Sequence, residues 1–390
     1  MKRVLIIALC LATALKLYLA LFTLGSFDLV LYQGHLANIQ RLGVGSYVVE
    51  GPYRTPFNHP PLMIHLLRLW GWLSHVALPF GFWLRLPAVL ADVGSFFLVW
   101  RWLKLLNREN FVVLLALVVS PASILISGFH GNTDSLMIFL LLLSIYLTEK
   151  ESKWAGVMFG LAVSIKVMPL VFVPAFFFYL NWRKRFLFFG SAAATFLICS
   201  LPYVIQNPKA VWSAVFGYTS VYGGWGFTLL AYLFFPNPPT YLVSQGDIHY
   251  GVQGTHAVVA QVLKWLTIAL ATIAPLWLRR ERLFVQCGVI TALVLFFAPG
   301  FGYQYLVWLV PFVTMLGLRQ TLTYYLTTGV YLFTVYFCYA ERVCASPLYL
   351  SVMSLACWLA VLSALTAWIK NKKQSGQSHY PFVRERCSMQ

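Results

Sequence analysis

The chain has few charged residues and very few acidic ones. Of its 390 residues, 28 are Lys or Arg and 11 are Asp or Glu, so only 10% are charged, whereas 60% are apolar. A water-soluble domain needs roughly a quarter of its residues charged to cover its surface. The scarcity of charge excludes an ordinary soluble protein. It predicts an integral membrane protein, in which the unit to count is an apolar stretch of about 20 residues.

Metal-binding cysteine patterns are also absent. The seven cysteines include no CxxC pair, and four of them lie within apolar runs, where a small and soft side chain is ordinary packing: Cys10, Cys199, Cys287 and Cys357. Cys338 and Cys344 flank a predicted outer helix end, and a disulfide between them is left open. The sequence therefore predicts no bound metal and no cofactor.

The net charge of +17 comes from short basic clusters between apolar runs. These clusters are Lys2-Arg3, Arg101/Lys104/Arg108, Lys150/Lys153, Arg183-Lys184-Arg185, Arg279-Arg280/Arg282 and Lys370/Lys372-Lys373. Such clusters mark the cytoplasmic side of a membrane protein. A nucleic-acid partner is not predicted, because the sequence lacks a basic face interleaved with polar groups that read bases.

Twelve transmembrane segments follow from this charge pattern, giving an all-α polytopic membrane protein. They are 4–24, 83–103, 111–128, 135–148, 154–167, 169–181, 186–203, 256–278, 283–299, 304–318, 321–339 and 347–369. Residues 1–370 would form one transmembrane domain with outer loops at 25–82 and 204–254, and 371–390 a basic cytoplasmic tail.

Three segments depart from a simple span. Residues 62–76 carry Arg68 and polar breaks, and counting them as a span would place the Arg101 cluster outside, so we predict an amphipathic surface helix. Lys166 to Pro169 interrupt two short apolar pieces, as in helices that line a cavity. Residues 217–236 either span the membrane or lie on it.

Asp28 is the strongest candidate for chemistry. It directly follows the first span and has apolar neighbours on both sides. A carboxylic acid held at the membrane face next to hydrocarbon is expected to keep a raised pKa and can serve as a general base. The alternative is a helix-end acid that lipid headgroups solvate.

Further polar residues lie in the same outer segments, each with a structural alternative. Asn58 and His59 precede two prolines, so they either project from a rigid turn or simply enter a helix. Asp134 either contributes to a site or caps the fourth span. Arg85 and Lys166 are placed to bind a phosphate or to reach toward headgroups. Gln304, Tyr305 and Trp308 form either a substrate wall or an aromatic belt.

In combination these segments resemble the GT-C glycosyltransferases, and most closely glycosyltransferase family 87, the polyprenol-phosphate-mannose-dependent mannosyltransferases. The resemblance covers nearly the whole chain. It rests on the order of Asp28-Leu29-Val30-Leu31-Tyr32, Phe57-Asn58-His59-Pro60-Pro61-Leu62, Arg85-Leu86-Pro87 with Asp92, Gly131-Asn132-Thr133-Asp134, Gly160 to Pro169, and Ala298 to Trp308.

The resemblance implies an inverting transfer of a hexose, with mannose favoured, from a polyprenyl-phosphate donor to a lipid or glycan acceptor. Asp28 would be the base. Arg85, Lys166, His59, Asn58 and Gln304 would bind the donor, and His130, Asp134, Tyr305 and Trp308 would line the pocket. Family members often carry Tyr where His59 stands, which leaves the role of His59 open.

The expected location is a bacterial inner membrane, with the site on the extracytoplasmic face and the C-terminus in the cytoplasm. A transporter or flippase of a lipid-linked sugar is the main alternative, and it would need essential residues in both halves at mid-membrane depth. A non-catalytic scaffold, in which Asp28 is dispensable, is another.

Overall fold

The computed structural model describes residues 2–48, 57–217, 220–235, 241–244, 247–341 and 347–375. Within these ranges, six helical segments are long and apolar enough to cross a membrane: Lys2–Phe22, Phe80–Leu105, Phe111–His130, Trp182–Gln206, Gly254–Trp277 and Leu348–Lys372. The chain is therefore an all-α polytopic membrane protein, as its composition predicts.

The α-helices of the described residues are, in chain order, α1 (Lys2–Phe22), α2 (Phe27–Leu42), α3 (Leu62–Val76), α4 (Phe80–Leu105), α5 (Phe111–Val118), α6 (Pro121–Ser123), α7 (Asp134–Glu149), α8 (Ala155–Ile165), α9 (Val173–Tyr179), α10 (Trp182–Gln206), α11 (Pro208–Gly217), α12 (Gly226–Phe234), α13 (Gly254–Trp277), α14 (Leu283–Phe296), α15 (Val310–Val313), α16 (Leu318–Glu341) and α17 (Pro347–Ser375). Turns of 3-10 helix cover Gly43–Tyr47, Met168–Phe172, Tyr303–Leu309 and Thr314–Leu316, and Ile124–His130 is π-helical.

Every predicted span overlaps a helical segment, but the count of twelve stays a prediction. Four apolar segments are shorter than a full span: Ala155–Ile165, Met168–Tyr179, Leu283–Phe296 and Tyr303–Leu316. At about 1.5 Å per residue, a helix of this length does not cross a hydrocarbon core of about 30 Å by itself. The predicted interruption at Lys166 is present, since α8 ends at Ile165 and Lys166 is extended.

The described residues of the segment 25–82 include α2 as well as the predicted helix α3. α3 begins directly after Pro60-Pro61 and ends at Val76, which confirms the predicted helix over 62–76. α2 was expected to be loop. Its buried positions Leu29, Tyr32 and Ile39 have helical spacing, but His35 lies on the same buried face and conceals the apolar period.

Two glycines allow the central helices to pack closely. α8 packs against α7 and α10. A Cβ atom on Gly156 would lie 2.2 Å from the Phe188 carbonyl oxygen, and one on Gly160 would lie 2.5 Å from that of Ala192. This four-residue spacing of small residues lets two membrane helices approach at backbone distance. The interrupted helix that carries Lys166 is thereby anchored against α10.

The described residues of the segment 204–254 include both helices and strands. They contain α11, α12 and an antiparallel pair of strands, β1 (Tyr241–Ser244) and β2 (Asp247–Val252), with Ser244 opposite Asp247. α17 extends to Ser375, so the predicted basic tail begins as a continuation of that helix. Residues 376–390 and Cys344 lie outside the described residues, and the pairing of Cys338 with Cys344 stays a prediction.

Candidate active site

Several helix ends meet around Asp28. Four residues separate the end of α1 from the start of α2. The backbone N–H of Ser26, the last of these four, donates to the carbonyl of His130, the last residue of the π-helical turn. That turn stops at Gly131, whose positive φ of 83° is readily adopted by glycine. π-Helical turns occur frequently at functional sites. The convergence brings residues 26–28 beside residues 130–134.

Ser26 sets the position of Asp28. Its hydroxyl caps α2 by accepting a hydrogen bond from the Asp28 backbone N–H, and the same hydroxyl donates to the His130 carbonyl at 2.7 Å. Asp28 consequently lies in the first turn of α2, where the helix dipole favours a negative charge. The local sequence Ser-Phe-Asp thus fixes a carboxylate at a helix N-terminus and ties it to the turn after the third span.

One oxygen of Asp28 is engaged and the other is not. Oδ2 accepts a hydrogen bond from Asn132 Nδ2 at 2.7 Å and lies 3.1 Å from His130 Nε2, although this second approach lacks hydrogen-bond alignment. Within the described part of the chain, no hydrogen bond reaches Oδ1. The Asp28 side chain is 27% exposed, whereas that of His130 is 4% exposed. The carboxylate therefore has an unoccupied oxygen and an open side.

The surroundings of Asp28 keep it ionised. Burial acts to raise the pKa of Asp28. Burial is outweighed by the charge and contact of His130, by the hydrogen bond from Asn132 and by the charge of Lys166, which together hold the pKa at about 2. The expectation of a raised pKa is therefore wrong: the carboxylate is negatively charged throughout the neutral range, which is the protonation state that a general base requires.

Lys166 is committed to contacts inside the protein. Its ammonium donates to Asp134 Oδ2 at 2.6 Å and to Asn132 Oδ1 at 3.1 Å. Asp134 is fully buried, and its other oxygen accepts from the Trp308 indole at 2.6 Å. Asp134 was expected to line the substrate pocket. Both of its oxygens instead accept hydrogen bonds from Lys166 and Trp308, and it is removed from the surface, so its place in the pocket lining stays a prediction.

His59 and His35 lie near Asp28 in neutral form. Burial, together with the Lys166 charge, lowers the pKa of His59 well below its usual value, and burial lowers that of His35 to about 4. His59 Nε2 lies 3.0 Å from the Tyr32 hydroxyl, and the Tyr47 hydroxyl donates to the His59 carbonyl at 2.8 Å. This fixes the turn that holds Asn58 and His59, both of which remain half-buried rather than enclosed.

Arg85 is not placed as expected. The sequence put it at the membrane surface to meet a phosphate, but the structure buries it completely. Its Nη1 donates to the carbonyl oxygens of Leu19, Ala20 and Thr23, which are left free at the end of α1. No guanidinium nitrogen reaches the surface. Nη1 caps the end of α1, whereas Nε and Nη2 have no hydrogen-bond partner among the described residues, and phosphate binding by Arg85 stays a prediction.

The second half of the chain also contributes to the site. Trp308 reaches Asp134, Tyr305 stacks on Trp308 with ring centroids 4.2 Å apart, and Gln304 is half-buried on the same turn. Tyr336 of α16 stacks on His130 at 5.4 Å. Tyr336 therefore joins Gln304, Tyr305 and Trp308, which the sequence predicts as site residues, in the contribution of the second half.

Two residues of the site were missed from the sequence. Asn132 belongs to the motif Gly131-Asn132-Thr133-Asp134, in which the sequence predicts a role for Asp134 alone. Its position between His130 and Asp134 is the feature of the sequence that indicates a place in the site. Tyr336 lies in an apolar run that reads as an ordinary span, so nothing local marked it. Among the described residues, no group of three or more His, Cys, Asp or Glu is arranged to hold a metal ion.

Replacing Gly25 with Ala is expected to destabilise the site region by about 3 kcal/mol, through backbone strain and overpacking together. Gly25 has a φ of +74°, and a Cβ there would lie 1.8 Å from Arg85 Nη2. Because Arg85 is held by three carbonyls, it has little freedom to move away. The thermal midpoint in detergent measures the effect. Gly190→Ala is the matched control, since its Cβ meets nothing within 4 Å; an equal loss in both variants would contradict the prediction.

Fold and site together define a polytopic membrane protein with an ionised carboxylate, Asp28, at one end of its helices. Asn132 and His130 contact this carboxylate, and the mostly buried Lys166 contacts Asn132. A family model described as glycosyltransferase family 87 matches residues 57–299. This is well over half of the chain, which therefore belongs to glycosyltransferase family 87. Asp28 lies before the matched range.

A curated relative has a related activity in its name. The chain is 28% identical over 138 residues to GPI mannosyltransferase 1 of Dictyostelium discoideum, a match that covers 34% of this chain and 31% of that protein. The matched stretch thus spans about a third of the relative's length, and it supports the family assignment in part of the chain.

Proposed function

We propose that this glycosyltransferase moves a mannosyl group from a polyprenyl-phosphate donor to a hydroxyl of a lipid or glycan acceptor, with Asp28 as the general base. The observation that carries the proposal is the state of Asp28, which is ionised, partly exposed and has one oxygen occupied and the other unoccupied. Membership of the family supports sugar transfer, and the name of the curated relative supports mannose.

The proposed chemistry needs one carboxylate. Oδ1 of Asp28 accepts the proton of the acceptor hydroxyl while that hydroxyl oxygen bonds to the anomeric carbon. The bond from this carbon to the phosphate oxygen breaks, and the polyprenyl phosphate leaves with the electron pair. Attack from the opposite side inverts the anomeric carbon. A phosphate leaves readily without protonation, so a second carboxylic acid of the kind that glycosidases use is not required.

The half-buried residues beside Asp28 are proposed to bind the sugar. Asn58 and the neutral His59 offer hydrogen-bonding groups to hydroxyls on one side. Gln304 and Tyr305 are assigned to the opposite side, where an aromatic ring suits the apolar face of a sugar. His130, being buried beside Asp28, is assigned to holding the carboxylate rather than to contact with the acceptor.

The proposed site faces the extracytoplasmic side of a bacterial inner membrane, and the C-terminus lies in the cytoplasm. The support is the charge pattern. The basic clusters at the end of α4, at the start of α10 and after α13 all lie at the helix ends that alternate with those around Asp28. A donor with a lipid chain would reach Asp28 from the bilayer.

A donor panel tests this function. Purified protein is given labelled polyprenyl-phosphate mannose, glucose, galactose or arabinose, or a nucleotide sugar, together with membrane lipid extract as acceptor. We expect transfer from the polyprenyl-phosphate mannose and none from the nucleotide sugar. Transfer from another polyprenyl-phosphate sugar would correct the sugar only.

Two outcomes of the panel would overturn the proposal: no transfer from any polyprenyl-phosphate donor, or transfer from the nucleotide sugar. Movement of the labelled lipid across proteoliposomes without a new glycosidic bond would indicate the transporter alternative. Glu109→Gln is the control variant, because Glu109 contacts Trp100 at the far end of α4 and lies outside the proposed site.

A further inference from the structure

Lys166 lies next to the site, and its ammonium is held by oxygen atoms of the protein. Its side chain is 13% exposed, and both of its hydrogen bonds are made to protein oxygens, on Asp134 and Asn132. Its charge is already matched by the buried carboxylate of Asp134, which the Trp308 indole holds from the other side. Two of the three N–H donors of the Lys166 ammonium are used in these contacts, and the 2.6 Å charge-assisted contact with Asp134 holds the ammonium in place.

The Lys166 contact sets which way the Asn132 amide faces. Asn132 Oδ1 accepts from the Lys166 ammonium at 3.1 Å and from the Thr133 backbone N–H at 2.6 Å. Two donors at this atom leave the amide nitrogen to face Asp28 Oδ2, which it meets at 2.7 Å. The flipped amide would point its nitrogen at the ammonium and its oxygen at the carboxylate, and both contacts would be repulsive.

We propose that Lys166 is a positioning residue that acts on Asp28 through Asn132, and that it does not bind the phosphate of the donor. In this arrangement Trp308 and Asp134 hold Lys166, and Lys166 orients the Asn132 amide. Asn132 then occupies Oδ2 of Asp28, so that Oδ1 alone is left for the acceptor hydroxyl. This inference rests on the proposed function of Asp28 as the base.

The series of contacts from Trp308 through Asp134 to Lys166 and Asn132 accounts for a mostly buried cation beside the site. A lysine without a partner at this depth is costly, and its pairing with Asp134 leaves a net neutral pair. Asn132 is uncharged, so it can hold Asp28 without adding a full positive charge beside it. A lysine in direct contact with Asp28 would instead bind the carboxylate tightly and compete with the proton it must accept.

Separate measurement of kcat and donor KM distinguishes positioning from phosphate binding. Lys166→Met and Asn132→Ala are each expected to lower kcat by roughly tenfold to a hundredfold, because a displaced catalytic group loses its alignment, with donor KM within about threefold of wild type. The double variant Lys166→Met/Asn132→Ala is expected to lose no more than the worse single variant, since both act on the same contact. A donor KM raised about tenfold or more in Lys166→Met, with kcat unchanged, would overturn the inference, as would multiplicative losses in the double variant.

Removal of Lys166 alone leaves Asp134 buried without its cation and endangers folding. Lys166→Met/Asp134→Asn avoids this, because it removes both charges and keeps an oxygen for Trp308. The same fall in kcat is expected in this variant at a near-normal thermal midpoint, and a wild-type kcat there would refute the positioning role. Asn132→Ala tests the same role with no buried charge left over.

Lys184→Met is the matched lysine control. Lys184, in the first turn of α10, pairs with Glu151 at a more exposed position, where the two side chains are 40% and 65% exposed. Its loss should leave both kinetic constants unchanged. If wild-type protein transfers sugar from no polyprenyl-phosphate donor, the proposed function fails and this inference fails with it. If wild type is active and Lys166→Met keeps its kcat, only the inference fails.

Discussion

Asp28→Asn is expected to lower kcat for sugar transfer by about 10²–10⁴-fold, the range that a positioned general base contributes. The amide retains an oxygen that can accept from Asn132, so the site should keep its shape while losing the proton acceptor. Because the pKa of Asp28 is about 2, the wild-type base stays ionised as the pH falls from 8 to about 5. Loss of kcat/KM on the acid side within that window would have to come from another group.

The comparison variant for Asp28 is Ser26→Ala. Ser26 positions the carboxylate without touching the reacting atoms, so this variant should reduce activity far less than Asp28→Asn while lowering stability by about 1 kcal/mol through loss of the helix cap. The assay uses single-turnover transfer from labelled donor, with the thermal midpoint as a check on folding. Full transfer by a folded Asp28→Asn protein would remove Asp28 from the mechanism.

Lys16→Met is expected to destabilise the protein by about 3–5 kcal/mol, the cost of leaving one member of a buried ion pair without its partner. Lys16 lies inside the first membrane helix, 6% exposed, and its ammonium is 2.7 Å from Asp92 of α4. Ser123 completes the cluster, accepting from Lys16 at 2.7 Å and donating to Asp92 at 2.6 Å. Without Lys16, the Asp92 charge would stay in an apolar interior with a single hydroxyl donor.

The double variant Lys16→Met/Asp92→Leu should recover most of that loss, because it removes both charges together and a small cavity of about 30 Å³ beside them can receive part of the added volume. Thermal or denaturant unfolding in one detergent measures all three proteins. Removing the exposed Lys184–Glu151 pair should cost less than about 1 kcal/mol. A Lys16→Met protein as stable as wild type, or a double variant less stable than either single variant, would contradict this account of the pair.

The helices of the first half show how far local pattern extends. The boundaries of α3 follow from Pro60-Pro61 and its apolar spacing, and the break at Lys166 follows from the lysine and the proline after it. α2 was not predicted from the sequence, because its buried face carries His35 among apolar residues. A helix packed in a polar interior has no apolar stripe, so periodicity is a weak guide to it.

The assignments of individual residues depended on distances that no local pattern contains. Arg85 and Lys166 carry the same charge, and the sequence places both where they could meet a phosphate or lipid headgroups. In the structure, Arg85 caps the end of α1, whereas Lys166 donates to Asn132. Which carbonyl or carboxylate a long cationic side chain reaches depends on how four or five helices pack. Sequence alone could place both cations near the site and could not choose their partners.

The sequence by itself determined that this is a membrane protein, the approximate bounds of its membrane helices and the presence of Asp28 directly after the first of them. These properties are local, since each depends on composition or on a stretch of about 20 residues. Only the tertiary structure decided that Asn132 and His130 hold Asp28, that Asp134 serves Lys166, and that Trp308 and Tyr336 from the second half complete the surroundings. Contacts between residues more than a hundred positions apart arise from the packing of helix ends, and that packing is a property of the whole chain.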